Sequence, residues 1–167
     1  MENLRFYRVR EDYIEFLHKI DHRVQFNKTE RRPYVGIVLT VGSHDYFVPL
    51  ESPKPNHANL KSGIHLMKIA NGKYGLLGFN NMIPAKKHHL IELDIEKEPD
   101  RMYGALLKNQ SLFCNRNKAE IYLRATRTYE AVTVKEIAFF KNICCDFRLL
   151  ETEYVKFHYK SSFSESR

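Results

Sequence analysis

The chain predicts an α+β fold, an antiparallel sheet covered by helices, and three observations carry that expectation. Short β-branched and aromatic runs fill the first half, helical periodicity begins after Pro99, and Asn71-Gly72 stands between two apolar stretches as a hairpin signal. Strands grouped ahead of helices argue against alternating βαβ units.

The elements follow in order. Phe6–Val9 reads as a first strand, and Asp12 is positioned to cap a helix with Tyr13, Phe16, Leu17 and Ile20 on one face. Residues 21–33 are polar and end in proline, hence a loop. Val35–Val41 is a β-branched run, Gly42-Ser43-His44 a turn, and Tyr46–Val48 the antiparallel return, with Pro49 expected to end the pairing. Residues 51–63 form a loop. His65–Ile69 and Tyr74–Phe79 flank the Asn71-Gly72 turn, Asn80–Pro84 turns away, and Leu90–Ile95 is one more strand. Asp100 is placed to cap a helix whose inner face holds Tyr103, Leu106, Leu107, Gln110 and Phe113. Ala119, Tyr122, Leu123 and Thr126 continue a second helix. Thr133 with Glu136 fits a capping box for a third, and Phe147–Phe157 is a last amphipathic stretch.

The length of 167 residues suits one domain, here residues 1–160, with 161–167 as a flexible tail. No apolar run approaches the ~20 residues of a membrane span. The charged opening MENLRFYRVRED has no apolar signal core, which predicts a cytoplasmic protein without a membrane partner. Cys114, Cys144 and Cys145 make neither a CxxC pair nor a disulfide framework, and the histidines are scattered. No metal or other cofactor is expected. The formal charge is +7, and ten tyrosines and eleven phenylalanines are interleaved with the lysines and arginines. Cations mixed with stacking faces suit single-stranded nucleic acid. Three basic clusters, Arg31-Arg32, Lys86-Lys87 and Arg116/Lys118/Arg124/Arg127, with Lys28 and Lys61, suggest an extended RNA footprint. Tyr34, Tyr46, Tyr74 and Tyr103 read rather as core or half-buried rings.

Chemistry concentrates between Arg31 and Gly63. In Glu51-Ser52-Pro53-Lys54-Pro55-Asn56-His57 two prolines stiffen a polar loop, lowering the entropy cost of a fixed site. Metal-free RNA cleavage needs a relay for the 2′-hydroxyl proton, cations for the phosphorane charge and a donor for the leaving oxygen. Ser52 can relay, Lys54 with Arg31 or Arg32 can neutralise, and Glu51 and His57 are the conventional bases nearby. On these residues alone an ordinary surface loop is the favoured reading.

FYRV (6–9), RPYVGIVL (32–39), YFVPLESPK (46–54), NNMIPA (80–85) and CDFRLLE (145–151) resemble, in order and over nearly the whole chain, the ToxN/AbiQ family and, within it, the CptN branch. That family comprises the endoribonuclease toxins of type III toxin–antitoxin systems. The resemblance implies a compact, strongly twisted antiparallel sheet flanked by helices, similar to the Kid/MazF toxin fold. It implies metal-independent cleavage leaving a 2′,3′-cyclic phosphate and a 5′-hydroxyl on cellular or phage RNA. It also implies an antitoxin of tandem RNA repeats, processed into pseudoknot units that inhibit the toxin in a ring-like protein–RNA assembly and so control abortive phage defence. The family's catalytic serine and lysine fall on Ser52 and Lys54, and its basic residue before the GIVL strand on Arg32, with Arg31 and Tyr34 alongside. Two positions depart: a threonine of some members is Glu51 here, and an upstream tyrosine has only Lys28 or Thr29 near its place. Asn80 and Asn81 are expected to buttress the site through backbone contacts. Two other readings remain open, a non-catalytic RNA-binding module and a MazF-like toxin silenced by a protein.

Overall fold

A computed structural model describes residues 2–27 and 31–158. Lys28, Thr29 and the expected tail 161–167 lie outside the described residues. The first strand, β1, spans Arg5–Val9, and α1 spans Glu11–Ile20 and buries Tyr13, Ile14 and Leu17. Its cap differs from expectation: Arg10 takes the N-cap position, and its side chain pairs with Asp12 at 3.3 Å rather than capping the helix N–H groups. Asp12 sits in the first turn and accepts from the Tyr13 N–H at 2.9 Å. An acidic side chain there still meets the exposed N–H groups of the helix start.

β2 (Pro33–Val41) and β3 (His44–Glu51) form the central hairpin, with Gly42 at φ +59° in its turn. Pro49 does not end the pairing. It stands opposite Tyr34, and β3 continues to Glu51, opposite Leu76. The physical reason is a change of neighbour along the other edge of β3. β5 (Leu76–Gly78) pairs with Leu50 and Glu51, whereas β6 (Ile83–Pro84) pairs with Tyr46 and Phe47. Pro49 falls in the gap between them, where a missing N–H interrupts no ladder.

β4 (Leu66–Lys68) runs antiparallel to β5, as the Asn71-Gly72 signal requires. The connection is longer than a two-residue turn, since Ala70, Asn71, Gly72 and Gly75 all have positive φ. β7 (Leu90–Glu92) is shorter than the expected strand because Asp94 caps a 3-10 turn over Ile95–Lys97. Among the described residues the strand order is β4-β5-β3-β2-β1-β7, with β6 beside β3, and every pairing is antiparallel.

Helices dominate after Pro99. Asp100 caps α2 (Arg101–Arg116), accepting from the Met102 and Tyr103 N–H groups at 3.0 and 3.1 Å. α3 covers Lys118–Thr133 and lies against β2. The Thr133–Glu136 capping box does not form. Thr133 is the last residue of α3, its hydroxyl donating to the Tyr129 carbonyl, and Glu136 has φ +48°, which a helical N3 residue cannot adopt. α4 (Ala138–Ile143) starts instead after Ile137. α5 (Phe147–Glu153), capped by Asp146, packs on β6, and a 3-10 turn over Tyr154–Lys156 completes the last stretch.

The core between sheet and helices is aromatic: Tyr13, Tyr34, Tyr46, Tyr154, Phe79 and Phe147 are fully buried. Buried Glu151 of α5 accepts from the Tyr46 hydroxyl at 2.8 Å and the Tyr129 hydroxyl at 2.9 Å, tying β3 to α3. Such a carboxylate is tolerated because charge-assisted bonds replace its water. All three cysteines are buried and free.

Candidate active site

Strand register creates the site. Arg8 of β1 faces Pro33 of β2, and Tyr34 faces Pro49 of β3, so Arg8, Arg32 and the exit of β3 at Glu51-Ser52 arrive at one end of the sheet. The backbone N–H groups of Arg31 and Arg32 both donate to the Asn27 carbonyl, at 3.0 and 3.1 Å, which fixes the approach to β2.

After Ser52 the chain folds back on itself. Pro55–Asn59 form a 3-10 turn in which the His57 N–H donates to the Lys54 carbonyl at 3.0 Å. The Lys54 N–H in turn donates to His57 Nδ1 at 3.2 Å. A neutral imidazole accepting at Nδ1 carries its proton on Nε2, and that nitrogen lies 3.7 Å from Glu51 Oε1. The same Oε1 accepts from Lys54 Nζ at 2.6 Å. Glu51 therefore stands between a half-exposed ammonium and a buried histidine. Partial burial pulls its carboxyl upward, but the Lys54 hydrogen bond and charge, with His57 and Arg32, outweigh this and hold it below the ordinary carboxylate value. His57 is only 1% exposed, which makes it a support beneath the loop rather than a group that meets a ligand.

The β4–β5 connection supplies the floor. A Cβ on Gly75 (φ +96°) would stand 2.0 Å from the Glu51 carbonyl oxygen, and one on Gly72 3.2 Å from His57 Cβ. Only glycine gives both the conformation and the close approach.

Beside this loop opens a cavity of about 450 Å³. Ser52, Arg31, Arg32 and Arg8 line it together with Tyr103, Glu98 and Asp100 at the start of α2, and Arg8 Nη2 lies 3.7 Å from Glu98 Oε2. Arg32 Nε is buried without a hydrogen-bond partner among the described residues, an arrangement that favours an incoming anion. Among the described residues no group of three or more His, Cys, Asp or Glu side chains is placed to hold a metal ion.

The other candidates fall elsewhere. Tyr34 lies in the core with its hydroxyl unpartnered, raised by burial against the opposing charge of Arg32. Lys61 is exposed farther along the 51–63 loop. Lys86 donates to the Ser43 carbonyl at 2.7 Å, and with exposed Lys87 borders a groove that includes Arg5, Tyr7 and Phe47. Exposed Arg116 and half-buried Lys118 flank the α2–α3 junction, Lys118 donating to Asn3 at 3.4 Å, while Arg127 is exposed on α3. Arg124 is committed inward, donating to the Gly63 and Leu66 carbonyls at 2.6 and 2.8 Å and pairing with Glu120. Asn80 and Asn81 bond the carbonyls of Ile143 and Arg23, so their backbone contacts pin those segments and not the Ser52 loop. Sequence reading missed Arg8, Glu98 and Tyr103 as site residues. Tyr103 and Asp100 were legible only as a helix face and a cap.

The chain is 35% identical over 159 residues to endoribonuclease ToxN of Bacillus thuringiensis subsp. kurstaki, covering 90% of this chain and 82% of that one. It is 27% identical over 173 residues to endoribonuclease AbiQ of Lactococcus lactis subsp. lactis, covering 96% and 92%. A solved type III toxin, described as selectively inhibited by a non-coding RNA pseudoknot, superposes with a TM-score of 0.83 at 33% identity, covering 93% of this chain and 98% of that one. AbiQ itself, described as a lactococcal anti-phage endoribonuclease, superposes with a TM-score of 0.81 at 25% identity over 93% and 98%. The family model for toxin ToxN of the type III toxin–antitoxin system matches residues 5–156. By that match and those relatives, the chain belongs to the ToxN toxin family of type III toxin–antitoxin systems.

Proposed function

We propose that this protein is a metal-independent endoribonuclease that cuts by attack of the substrate's own 2′-hydroxyl, and that Ser52, Lys54 and Arg32 carry the reaction. The observation behind this reading is the placement of Ser52 on the wall of the cationic cavity, with Lys54 held two residues on by Glu51. In the reaction the 2′-oxygen bonds to phosphorus and the 5′-oxygen leaves. The proton given up by the 2′-hydroxyl passes through Ser52 to solvent, a proton from water goes to the leaving 5′-oxygen, and the products are a 2′,3′-cyclic phosphate and a 5′-hydroxyl. Lys54, exchanging Glu51 for a non-bridging oxygen, and Arg32, through its unpartnered Nε, offset the charge of the phosphorane. Glu51 returns Lys54 to its place when the product leaves.

Its regulator in this reading is a repeat-derived RNA that folds as a pseudoknot; the solved toxin described above is inhibited by a non-coding RNA pseudoknot. The antitoxin RNA occupies the same cationic cavity and bridges protomers in a ring-like complex with the exposed basic residues, in the cytoplasm. No helix among the described residues is long and apolar enough to cross a membrane.

The test is cleavage of RNA in EDTA by protein freed of nucleic acid, followed by end-group analysis. Cyclic-phosphate ends, and a loss of about 100-fold or more in Ser52→Ala and Lys54→Ala with unchanged melting, support the reading. Activity that vanishes with chelation, or 3′-hydroxyl products, overturns it.

A further inference from the structure

Between Ser52 and Asn56 the backbone has one donor. Pro53 and Pro55 carry no N–H, so the segment can be held through an amide only at Lys54. The acceptor is an imidazole. The Lys54 N–H donates to His57 Nδ1 at 3.2 Å, and the His57 N–H donates back to the Lys54 carbonyl at 3.0 Å. Lys54 itself is extended (φ −131°, ψ 151°), the conformation that a following proline favours. On its other side His57 Nε2 stands 3.7 Å from Glu51 Oε1, the atom that accepts from Lys54 Nζ at 2.6 Å. One buried ring therefore meets Lys54 at its backbone and borders the carboxylate that orders its ammonium. The ring is fixed in turn by close-packed Gly72 and by Lys68 of β4, which donates to the neighbouring Ala58 carbonyl at 3.0 Å.

The same turn recurs in Lys86-Lys87-His88-His89. There the Lys86 N–H donates to His89 Nδ1 at 3.0 Å, and the His89 N–H returns to the Lys86 carbonyl at 3.0 Å. The chain thus uses a Lys-x-x-His turn twice to fix the backbone of a lysine, and only the first stands beside Ser52. We propose that His57 is a positioning residue for RNA cleavage that acts through Lys54. Its neutral ring, accepting at Nδ1, holds the Lys54 backbone where the ammonium can pass from Glu51 to the phosphorane. The role rests on the reading above in which Lys54 neutralises that charge. A group misplaced by about 1 Å can slow a reaction on the order of 100-fold.

The test is single-turnover cleavage of an RNA oligonucleotide containing a site cut by the wild-type protein, with RNA affinity and melting measured for each variant. His57→Asn sets its Oδ1 in the place of Nδ1 and keeps the acceptor, whereas His57→Leu fills the space without one. The expected rate is within about three-fold of wild type for His57→Asn and at least ten-fold lower for His57→Leu. RNA affinity stays within about three-fold in both, and the order of rates does not follow the order of melting temperatures. In a Lys54→Ala background His57→Leu slows cleavage less than two-fold further, because the group it positions is gone. His89→Phe, which removes the acceptor from the matched turn, leaves the rate of folded protein within about three-fold. Nitrogen NMR of the labelled wild-type protein near neutral pH decides the matter where a His57 variant fails to fold. It should show His57 Nδ1 without a proton and the Lys54 N–H protected from exchange. A proton on Nδ1, equal slowing in the two His57 variants, a folded His57→Leu that cuts normally, or an undiminished His57→Leu effect without Lys54 overturns the inference. A Lys54→Ala variant that cuts at the wild-type rate sinks the role of Lys54 in the endoribonuclease reading, and this inference with it. A slowed Lys54→Ala beside an unaffected His57→Leu sinks this inference alone.

Discussion

Glu51 and His89 show how single titratable groups are set by their neighbours. Glu51 is held ionised chiefly by Lys54, so its contribution to stability is present above the ordinary carboxylate value of 4.5 and is lost as pH falls below it. Melting of wild type and Glu51→Gln from pH 7 to 3 checks this: the gap between them should be constant above about pH 5 and close below pH 4. Glu51→Gln should also lower RNA cleavage more than tenfold, since Lys54 loses the anion that orders it. His89 is the opposite case. It stacks on Tyr13 with ring centres 3.9 Å apart and planes 6° apart, and accepts from the Lys86 N–H at Nδ1. Burial first, then the charges of His88, Lys86 and Arg10, push it down to about 4, with Asp12 opposing. The neutral ring is the one the fold accommodates. Stability is therefore complete above pH 6.5 and declines between 6.5 and 4 as the unfolded chain takes up the proton first. The loss is on the order of 2–3 kcal/mol. In His89→Phe the melting temperature should fall less between pH 7 and 4 than in wild type, though from a lower starting value.

At the scale of elements, the loop that carries Ser52 depends on the β4–β5 connection beneath it. Gly75→Ala would drive a methyl into the Glu51 carbonyl from a strained φ of +96°. It should cost about 2–4 kcal/mol and displace Ser52, with RNA cleavage falling further than stability explains. Gly42→Ala is the matched control: its φ is +59°, but a Cβ there meets nothing within 4 Å. It should cost only about 1 kcal/mol and leave cleavage near wild type. The same elements show what a sequence can disclose. Asp100 was legible as a cap because an acceptor directly ahead of a periodic apolar face is a local signal. The end of β3 at Glu51 and the failed capping box at Thr133–Glu136 were not. The first depends on β5 and β6 meeting opposite halves of β3, the second on a chain reversal between α3 and α4.

At the scale of the whole molecule, the +7 charge is distributed unevenly in function. Arg124 is spent on backbone carbonyls and Lys86 largely on Ser43, whereas Arg31, Lys61, Lys87, Arg116 and Arg127 are exposed. RNA affinity should accordingly fall steeply with salt, with a log–log slope of about −0.7 per phosphate neutralised. Replacing Arg127 or Lys87 should reduce that slope by less than one unit each. Arg124→Ala should instead lower the melting temperature, because it releases the 63–66 segment.

Which segments become strands, helices and turns was determined by the sequence itself, because apolar periodicity, prolines, glycines and caps act over a few residues. The likeness of RPYVGIVL and YFVPLESPK to ToxN/AbiQ segments likewise lay in the linear order, and it drew attention to Ser52, Lys54 and Arg32. Only the tertiary structure decided that Arg8 would lie level with Pro33 and that the start of α2 would close the cavity with Tyr103 and Glu98. It also decided that His57 would sit buried beneath Glu51. The first two join residues tens of positions apart, set by strand register and the packing of one helix end, whereas His57 meets Glu51 because the loop folds back through a 3-10 turn. No periodicity along the chain encodes either one.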